Sequence, residues 1–281
     1  MEKIIRAVAE SKRDKSRQDQ TANISKQTIP SEVLNKPVRA KNAEVAVEYE
    51  HTRVVSLNQD LLAKNRIIAF NKNNHLSLGF DILRTQIIKK MLKNGWRTIA
   101  ITSPIPACGK TMVSINLAMS IAHHTDRTAM LVDFDLRRPT VSKYLGLPSG
   151  PTLNEVLSGE ASIAESLVNP GLDRFVILPT AIPVTNSSEV LSSQKVANLI
   201  TEFRERYAER IVIFDMPPLL GTDDAMIMLS QVDCVLVVVG NGMVSKTALT
   251  ESMRYVDSNK LLGTVLNKAK ITQSQKGYYG Y

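Results

Sequence analysis

Cysteine is scarce in this chain: Cys108 and Cys234 are the only two in 281 residues. They are too few and too differently placed for a disulfide framework, and their spacing suits no metal. Long apolar runs are missing too. The longest, Cys234–Val239, falls far short of the roughly eighteen residues a membrane-spanning helix needs. The opening Met1-Glu2-Lys3-Ile4-Ile5-Arg6 runs into further charges within a few residues. It lacks the apolar segment and small-residue cleavage site of a secretory signal, so a cytoplasmic location is expected. Aromatics make up 5% and nearly vanish between Ser11 and Gln59, where Pro30 and Pro37 interrupt a polar stretch with no hydrophobic period. Such a stretch buries too little surface to offset its ordering entropy.

What is present suffices for a core: 43% of the residues are hydrophobic, enough at this length for one large domain or a mid-sized domain with a tail. The expected division is a largely disordered polar segment over 1–66, a folded domain over 67–269 and a flexible tail over 270–281. Within the first segment, Ile4–Ala9 reads as a short frayed amphipathic helix or, less simply, a docking peptide. The net charge of +8 divides evenly: residues 1–66 hold 13 Lys and Arg against 9 Asp and Glu, and the rest 22 against 18. The basic excess is therefore denser in the N-terminal segment, where interleaved acids point to a solvated linker ahead of contact with anionic lipid or RNA. No nucleic-acid partner is expected.

From Arg97 onward, short β-branched runs alternate with helix-length segments. The runs are Thr98–Thr102, Ala129–Phe134, Phe175–Leu178, Ile211–Phe214, Cys234–Val239 and Leu262–Leu266. Most are continuously apolar, as in strands covered on both faces of a parallel sheet. Val196, Leu199, Ile200, Phe203 and Tyr207 keep helical spacing, as do Leu249, Met253 and Val256. The expected fold is a doubly wound α/β domain, whose ligands lie beyond the carboxyl ends of the strands.

At that place stands Ser103-Pro104-Ile105-Pro106-Ala107-Cys108-Gly109-Lys110-Thr111, followed by a helix from Met112 to Ala122. A strand, a tight loop, Gly-Lys-Thr and a helix start are the context of a phosphate-binding P-loop. In a loop that includes Ser103 and Pro106, the backbone N–H groups of Ala107, Cys108, Gly109, Lys110, Thr111 and Met112 and the helix dipole would bind the phosphates. Lys110 would add charge near the β- and γ-phosphates, and the Thr111 hydroxyl suits Mg²⁺. Pro104 occupies the place of the usual first glycine.

Carboxylates gather at the same strand ends. In Asp133-Phe134-Asp135-Leu136-Arg137-Arg138-Pro139, a period of two puts Asp133 and Asp135 on one side. Their mutual repulsion is relieved if Mg²⁺ or Arg137 neutralises them; the plainer alternative is that both cap the following turn. Ile211-Val212-Ile213-Phe214-Asp215 ends in a third carboxylate, the Walker B arrangement that approaches the metal from the far side.

These motifs, with the terminal Tyr278-Tyr279-Gly280-Tyr281, resemble the bacterial tyrosine kinases of capsular and exopolysaccharide biosynthesis, P-loop proteins related to the Mrp, MinD and ParA ATPases. The likeness spans about 83–281. It rests on the P-loop with Walker A residues Ser103, Pro106, Gly109, Lys110 and Thr111, on the Walker A′ segment Asp133–Pro139 and on the Walker B segment Asp215-Met216-Pro217-Pro218. Leu83-Arg84-Thr85, Ser187–Leu191 and Gly263–Asn267 match as well.

The resemblance implies a tyrosine autokinase using ATP and Mg²⁺, with no His-Arg-Asp or Asp-Phe-Gly motif of eukaryotic kinases. It implies that Asp133 assists loss of the tyrosine proton, that Asp135 and Asp215 with Thr111 order the metal, that Arg137 lies in the nucleotide site and that Asn267 contacts adenine. The implied partners are a membrane-bound polysaccharide chain-length regulator as activator, a cognate tyrosine phosphatase and a second copy of the chain. The protein would be cytoplasmic, recruited to the inner face of the membrane.

Three features depart from the family pattern. Ala107 stands where the loop has glycine, Met216 follows the Walker B Asp in place of Thr, and Leu78, Asp81 and Arg84 keep only the last residue of Glu-x-x-Arg-x-x-Arg.

Tyr278, Tyr279 and Tyr281 suit phosphoacceptors, because a phenol with a pKa near 10 needs a carboxylate to take its proton. The glycine-containing tail from Lys270 spans on the order of 20 Å as coil. Docking of an aromatic terminus on a surface is the alternative. Cys108 reads as a small filler ahead of a redox switch. His123 and His124 read as a solvated helix end beside Asp126, and Trp96 as an anchor of the first strand. Two functional alternatives stay open: a nucleotide-switched ATPase of the MinD or ParA kind, and a nucleotide-binding adaptor of the polysaccharide machinery.

Overall fold

The computed structural model describes residues 52–71, 75–123 and 126–269. Their strands are β1 (Arg53–Val54), β2 (Thr98–Thr102), β3 (Thr128–Asp133), β4 (Val168–Asn169), β5 (Phe175–Leu178), β6 (Arg210–Asp215), β7 (Cys234–Gly240) and β8 (Leu261–Asn267). They form one sheet in the order β1-β4-β5-β3-β6-β2-β7-β8. Neighbours are parallel except β4 and β5. The expected doubly wound architecture is thus present, with all six anticipated strands within a residue of their expected ends.

Alternation along the strands sorts side chains into two cores. Ile99, Ile101, Leu131 and Ile213 face one, and Ala100, Met130, Val132 and Phe214 the other. The first core is closed by α2 (Leu78–Asn94) and α3 (Lys110–Ala122). Helix α3 is buried from Val113 to Ala122 on every side, the mark of a helix inside a core. The second core is closed by α8 (Gln194–Glu205), whose Val196, Leu199, Ile200 and Phe203 form the anticipated stripe. Tyr207 lies beyond its end and is half-exposed beneath the Arg210 guanidinium, 4.0 Å from the ring centroid. Between α3 and α8 run the short helices α4 (Val141–Leu145), α5 (Leu153–Ser158), α6 (Ile163–Ser166) and α7 (Ser187–Leu191); α9 (Asp224–Leu229) follows β6, and α10 (Lys246–Met253) follows β7. Val256, expected on the stripe of α10, lies past its end yet is buried.

The N-terminal segment needs correction. Residues 53–66 are part of the fold: β1 pairs with β4, and α1 (Gln59–Lys64) buries Leu62. Single anchors without a period make this region illegible in sequence. The chief anchor is the buried Asn116 of α3. Its Oδ1 accepts the N–H groups of Ile68 and Ala69 at 2.8 and 2.9 Å, and its Nδ2 donates to the Arg66 carbonyl at 3.0 Å. His123 joins in, with Nε2 2.9 Å from the Ala69 carbonyl, and is no solvated helix end. Trp96 packs against the first core, as an anchor should. The Ile4–Ala9 segment, His124 and the tail with Tyr278, Tyr279 and Tyr281 lie outside the described residues.

Candidate active site

The loop after β2 is shaped from within. Ser103 Oγ donates to the Ile105 carbonyl at 2.8 Å, and the chain beyond β6 braces it through Leu219 N–H to Ser103 O and Leu220 N–H to Pro104 O at 2.8 and 3.1 Å. Gly109 caps α3 with φ +94°. A Cβ there would sit 2.2 Å from Asn267 Nδ2, so both backbone and packing demand glycine. Ala107 has φ +64°, so the residue that replaces the family's loop glycine keeps the glycine conformation and accepts the strain.

The first intrahelical bond of α3 runs from Val113 N–H to Gly109 O. The amides of Lys110, Thr111 and Met112 therefore precede it and point outward at the positive end of the helix. Such a nest of donors fits a chain of phosphates.

β3 and β6 bring the carboxylates together, since Asp133 and Asp215 are register partners on adjacent strands. Both are fully buried. Asp133 Oδ2 accepts the N–H groups of Thr140 and Val141, each at 3.0 Å, and Oδ1 accepts Asp135 N–H at 3.3 Å. The capping alternative is thus realised for Asp133, and Asp135 likewise holds the turn, its Oδ1 accepting Arg138 N–H at 3.1 Å. Burial, then the Asp215 charge, push it well above the carboxylate range against those amides. Asp215 is also raised, chiefly by burial, although Lys110 and the Thr111 and Ser114 hydroxyls oppose the rise. Those hydroxyls donate to Asp215 Oδ2 and Oδ1 at 2.6 and 3.0 Å.

Lys110 Nζ lies 2.7 Å from Asp135 Oδ2. Burial alone would lower its pKa, but Asp215, Asp135 and Asp133 together raise it. The counter-charge of the carboxylates is therefore Lys110 and not Arg137. Arg137 turns to the buried Asp224 at the start of α9, Nε to Oδ2 at 2.9 Å. Ser187 and Ser188 Oγ also donate to Asp224, both at 2.7 Å.

Lys110, Thr111, Asp135 and Arg137 line a cleft of 590 Å³ with Pro106 and Ala107. Asp133 stays beneath it, and Cys108 is fully buried beside Gly240 as a filler. Asn267 closes the loop from the side: its Nδ2 donates to the Cys108 carbonyl at 2.8 Å, and its Oδ1 takes Lys268 N–H at 2.9 Å. Its amide is thus committed to the loop, where the resemblance implied adenine. Met112, next to these residues, packs half-buried against the first core. The donor set of Thr111 and Asp215 is all oxygen, which suits Mg²⁺ shared with phosphates. Among the described residues no three His, Cys, Asp or Glu side chains form a metal cage.

Sequence reasoning missed Ser114, Thr140 and Asp224. Only Ser114, one turn after Thr111 on α3, carried a readable signal, because that spacing aims both hydroxyls one way.

Residues 96–267 match a family described as an AAA domain. Tyrosine-protein kinase YwqD of Bacillus subtilis (strain 168) is 31% identical over 231 residues, a match covering 78% of this chain and 96% of the relative. The kinase domain of Escherichia coli tyrosine kinase ETK superposes with a TM-score of 0.62 at 26% identity, over 73% of this chain and 80% of that one. MinD from Pyrococcus horikoshii OT3, a complex with Mg-ADP, has a TM-score of 0.51 at 23% identity, covers 63% of this chain and 72% of that one, and is alike in fold. With the P-loop, the paired strand-end carboxylates and a relative spanned almost end to end, the chain belongs to the bacterial tyrosine-protein kinases of the P-loop ATPase fold.

Proposed function

We propose that this kinase transfers the γ-phosphoryl group of ATP to tyrosine, first of all to Tyr278, Tyr279 and Tyr281 of its own tail, and so regulates capsular or exopolysaccharide biosynthesis. The observation that carries the reading is the Lys110–Asp135 pair in a cleft also lined by Thr111, whose hydroxyl donates to the buried Asp215. Mg²⁺·ATP supplies the electrophilic phosphoryl group and the neutralisation of its oxygens. The amides from Ala107 to Met112 would orient the phosphates, and the Lys110 ammonium, paired with Asp135 at 2.7 Å, would add its charge to them. Thr111, Asp135 and Asp215 would hold the metal.

Asp135, which lines the cleft, faces an incoming phenol once Lys110 has moved. Asp133 sits behind it with both oxygens engaged, so it supports Asp135 and fixes the start of α4. A phenol reacts at neutral pH only as its proton leaves, so the carboxylate facing it decides the rate. Arg137 bounds the cleft on the α9 side, and Asn267 braces the loop through the Cys108 carbonyl.

The partners that fit this reading are a membrane-bound chain-length regulator that activates the kinase, a tyrosine phosphatase and further copies of the chain. The kinase would work at the inner face of the membrane, recruited there by the regulator. Among the described residues no helix is long and apolar enough to cross a membrane.

The test is incubation of the full chain with γ-labelled ATP and Mg²⁺, with the label mapped by mass spectrometry. Label on the three tail tyrosines that disappears in Lys110→Met is expected. Hydrolysis without label would instead favour the nucleotide-switched ATPase, and binding with neither would favour the adaptor.

A further inference from the structure

Lys268 is the residue after β8, and its side chain crosses to the phosphate loop. Nζ donates to the Ala107 carbonyl at 2.7 Å and lies 3.4 Å from Met243 Sδ. Lys268 itself takes φ +59°, a conformation that a lysine adopts only when held there. Next to it, Asn267 Nδ2 donates to the following carbonyl of the loop, that of Cys108. Two successive peptide groups of the loop are therefore gripped by two successive side chains from the end of the last strand. Asn267 is itself fixed by the sheet: it is the register partner of Gly240, and its own carbonyl accepts Asn241 N–H at 2.9 Å.

The grip falls on the residue that needs it. Ala107 occupies the left-handed region at φ +64°, where a Cβ is disfavoured and the peptide would relax if released. Relaxation would turn the amides after Ala107 away from the phosphates that the loop is shaped to receive. An ammonium bonded to the Ala107 carbonyl opposes that rotation, because it is a charged donor on the strained peptide itself.

We infer that Lys268 is a positioning residue for nucleotide binding, which holds the loop at Ala107 in the conformation glycine would adopt unaided. The inference rests on the proposed nucleotide site and assigns Lys268 no contact with the nucleotide. It follows that lysine at 268 matters because alanine stands at 107, and that the two positions are energetically coupled.

The experiment is a double-mutant cycle on the full chain, with the affinity for Mg²⁺ and a fluorescent mant-ADP read by titration. Lys268→Asn removes the ammonium while keeping a residue that tolerates positive φ. It should weaken mant-ADP binding roughly fivefold to tenfold, as expected for loss of one charge-assisted hydrogen bond. Lys268→Arg, which keeps a donor, should bind within about twofold of the parent. In the Ala107→Gly background, Lys268→Asn should also change affinity by less than about twofold, because the strain it opposes is gone. The apo melting temperature of each variant shows that the fold survives. Equal affinity of Lys268→Asn and the parent would overturn the inference, as would an undiminished loss in the Ala107→Gly background. Failure of the parent chain itself to bind mant-ADP would be a separate result: it would overturn the nucleotide reading and remove the basis of this inference with it.

Discussion

Lys110 carries the largest share of the site's electrostatics. Three carboxylates raise its pKa in spite of burial, so removing it leaves Asp135 without its partner and Asp215 without the charge that opposes its rise. Lys110→Met should lower phosphotransfer by about 10²–10³-fold, measured as initial rate of tail labelling at saturating ATP. Gly109→Ala should fail differently. Its Cβ would fall 2.2 Å from Asn267 Nδ2 at φ +94°, so the loop shifts and nucleotide affinity drops, while turnover of whatever nucleotide binds changes less; a KM-against-kcat comparison separates the two. At this scale the sequence was partly legible. Gly-Lys-Thr and the three Asp residues were readable because phosphate chemistry demands those groups after a strand. The choice of Lys110 over Arg137 as the counter-charge was not, because it depends on where α9 places Asp224.

Asp224 joins three elements: the Arg137 turn after β3, Ser187 and Ser188 of α7, and α9. Burial alone would raise its pKa, but the donors from Arg137, Ser187 and Ser188 outweigh burial and lower it. A lowered folded-state value means that its stabilisation is fully present above the unfolded carboxylate pKa and is lost as pH falls through the lower folded one. Asp224→Asn should therefore cost about 1–3 kcal/mol near neutrality, in proportion to lost hydrogen bonds to a charged group. The gap in denaturation midpoint between parent and variant should hold from pH 6 down to about 4 and close as the pH falls below that. On α8, Phe203 is 3% exposed in the second core. Phe203→Ala should destabilise by about 3–5 kcal/mol, read as a lower urea midpoint with little change in the nucleotide Kd of the molecules that remain folded. The stripe containing Phe203 was plain in the sequence since four apolar residues at helical spacing have one simple use. Helix α1 was opaque, because Leu62 is its sole buried residue and one anchor makes no period.

For the whole molecule, the tail is the element whose removal tests the division of labour. Deleting residues 270–281 should abolish self-labelling and leave the mant-ADP Kd within about twofold, since the loop, the carboxylates and Lys268 all precede it. Replacing Tyr278, Tyr279 and Tyr281 together by Phe should do the same to labelling, checked by phosphotyrosine mass spectrometry. Right-handed crossovers between parallel strands set which face of the sheet each connecting helix covers, and the order of the strands is decided by the folded sheet. β1 and β4 were illegible even as strands, for each is two residues long and carries no pattern of its own. What the amino-acid sequence determined by itself was chemistry with a local cause: buried strands from their unbroken apolar runs, helices from their spacing, a phosphate loop from strand, glycine and lysine in succession. What only the tertiary structure decided was pairing across distance. Asp133 beside Asp215, Asn116 under the N-terminal arm, and Asn267 with Lys268 on the carbonyls of the loop are separated by tens to more than a hundred positions along the chain. No local preference encodes those meetings, because each is fixed by the register of strands and the packing of helices and not by its neighbours in sequence.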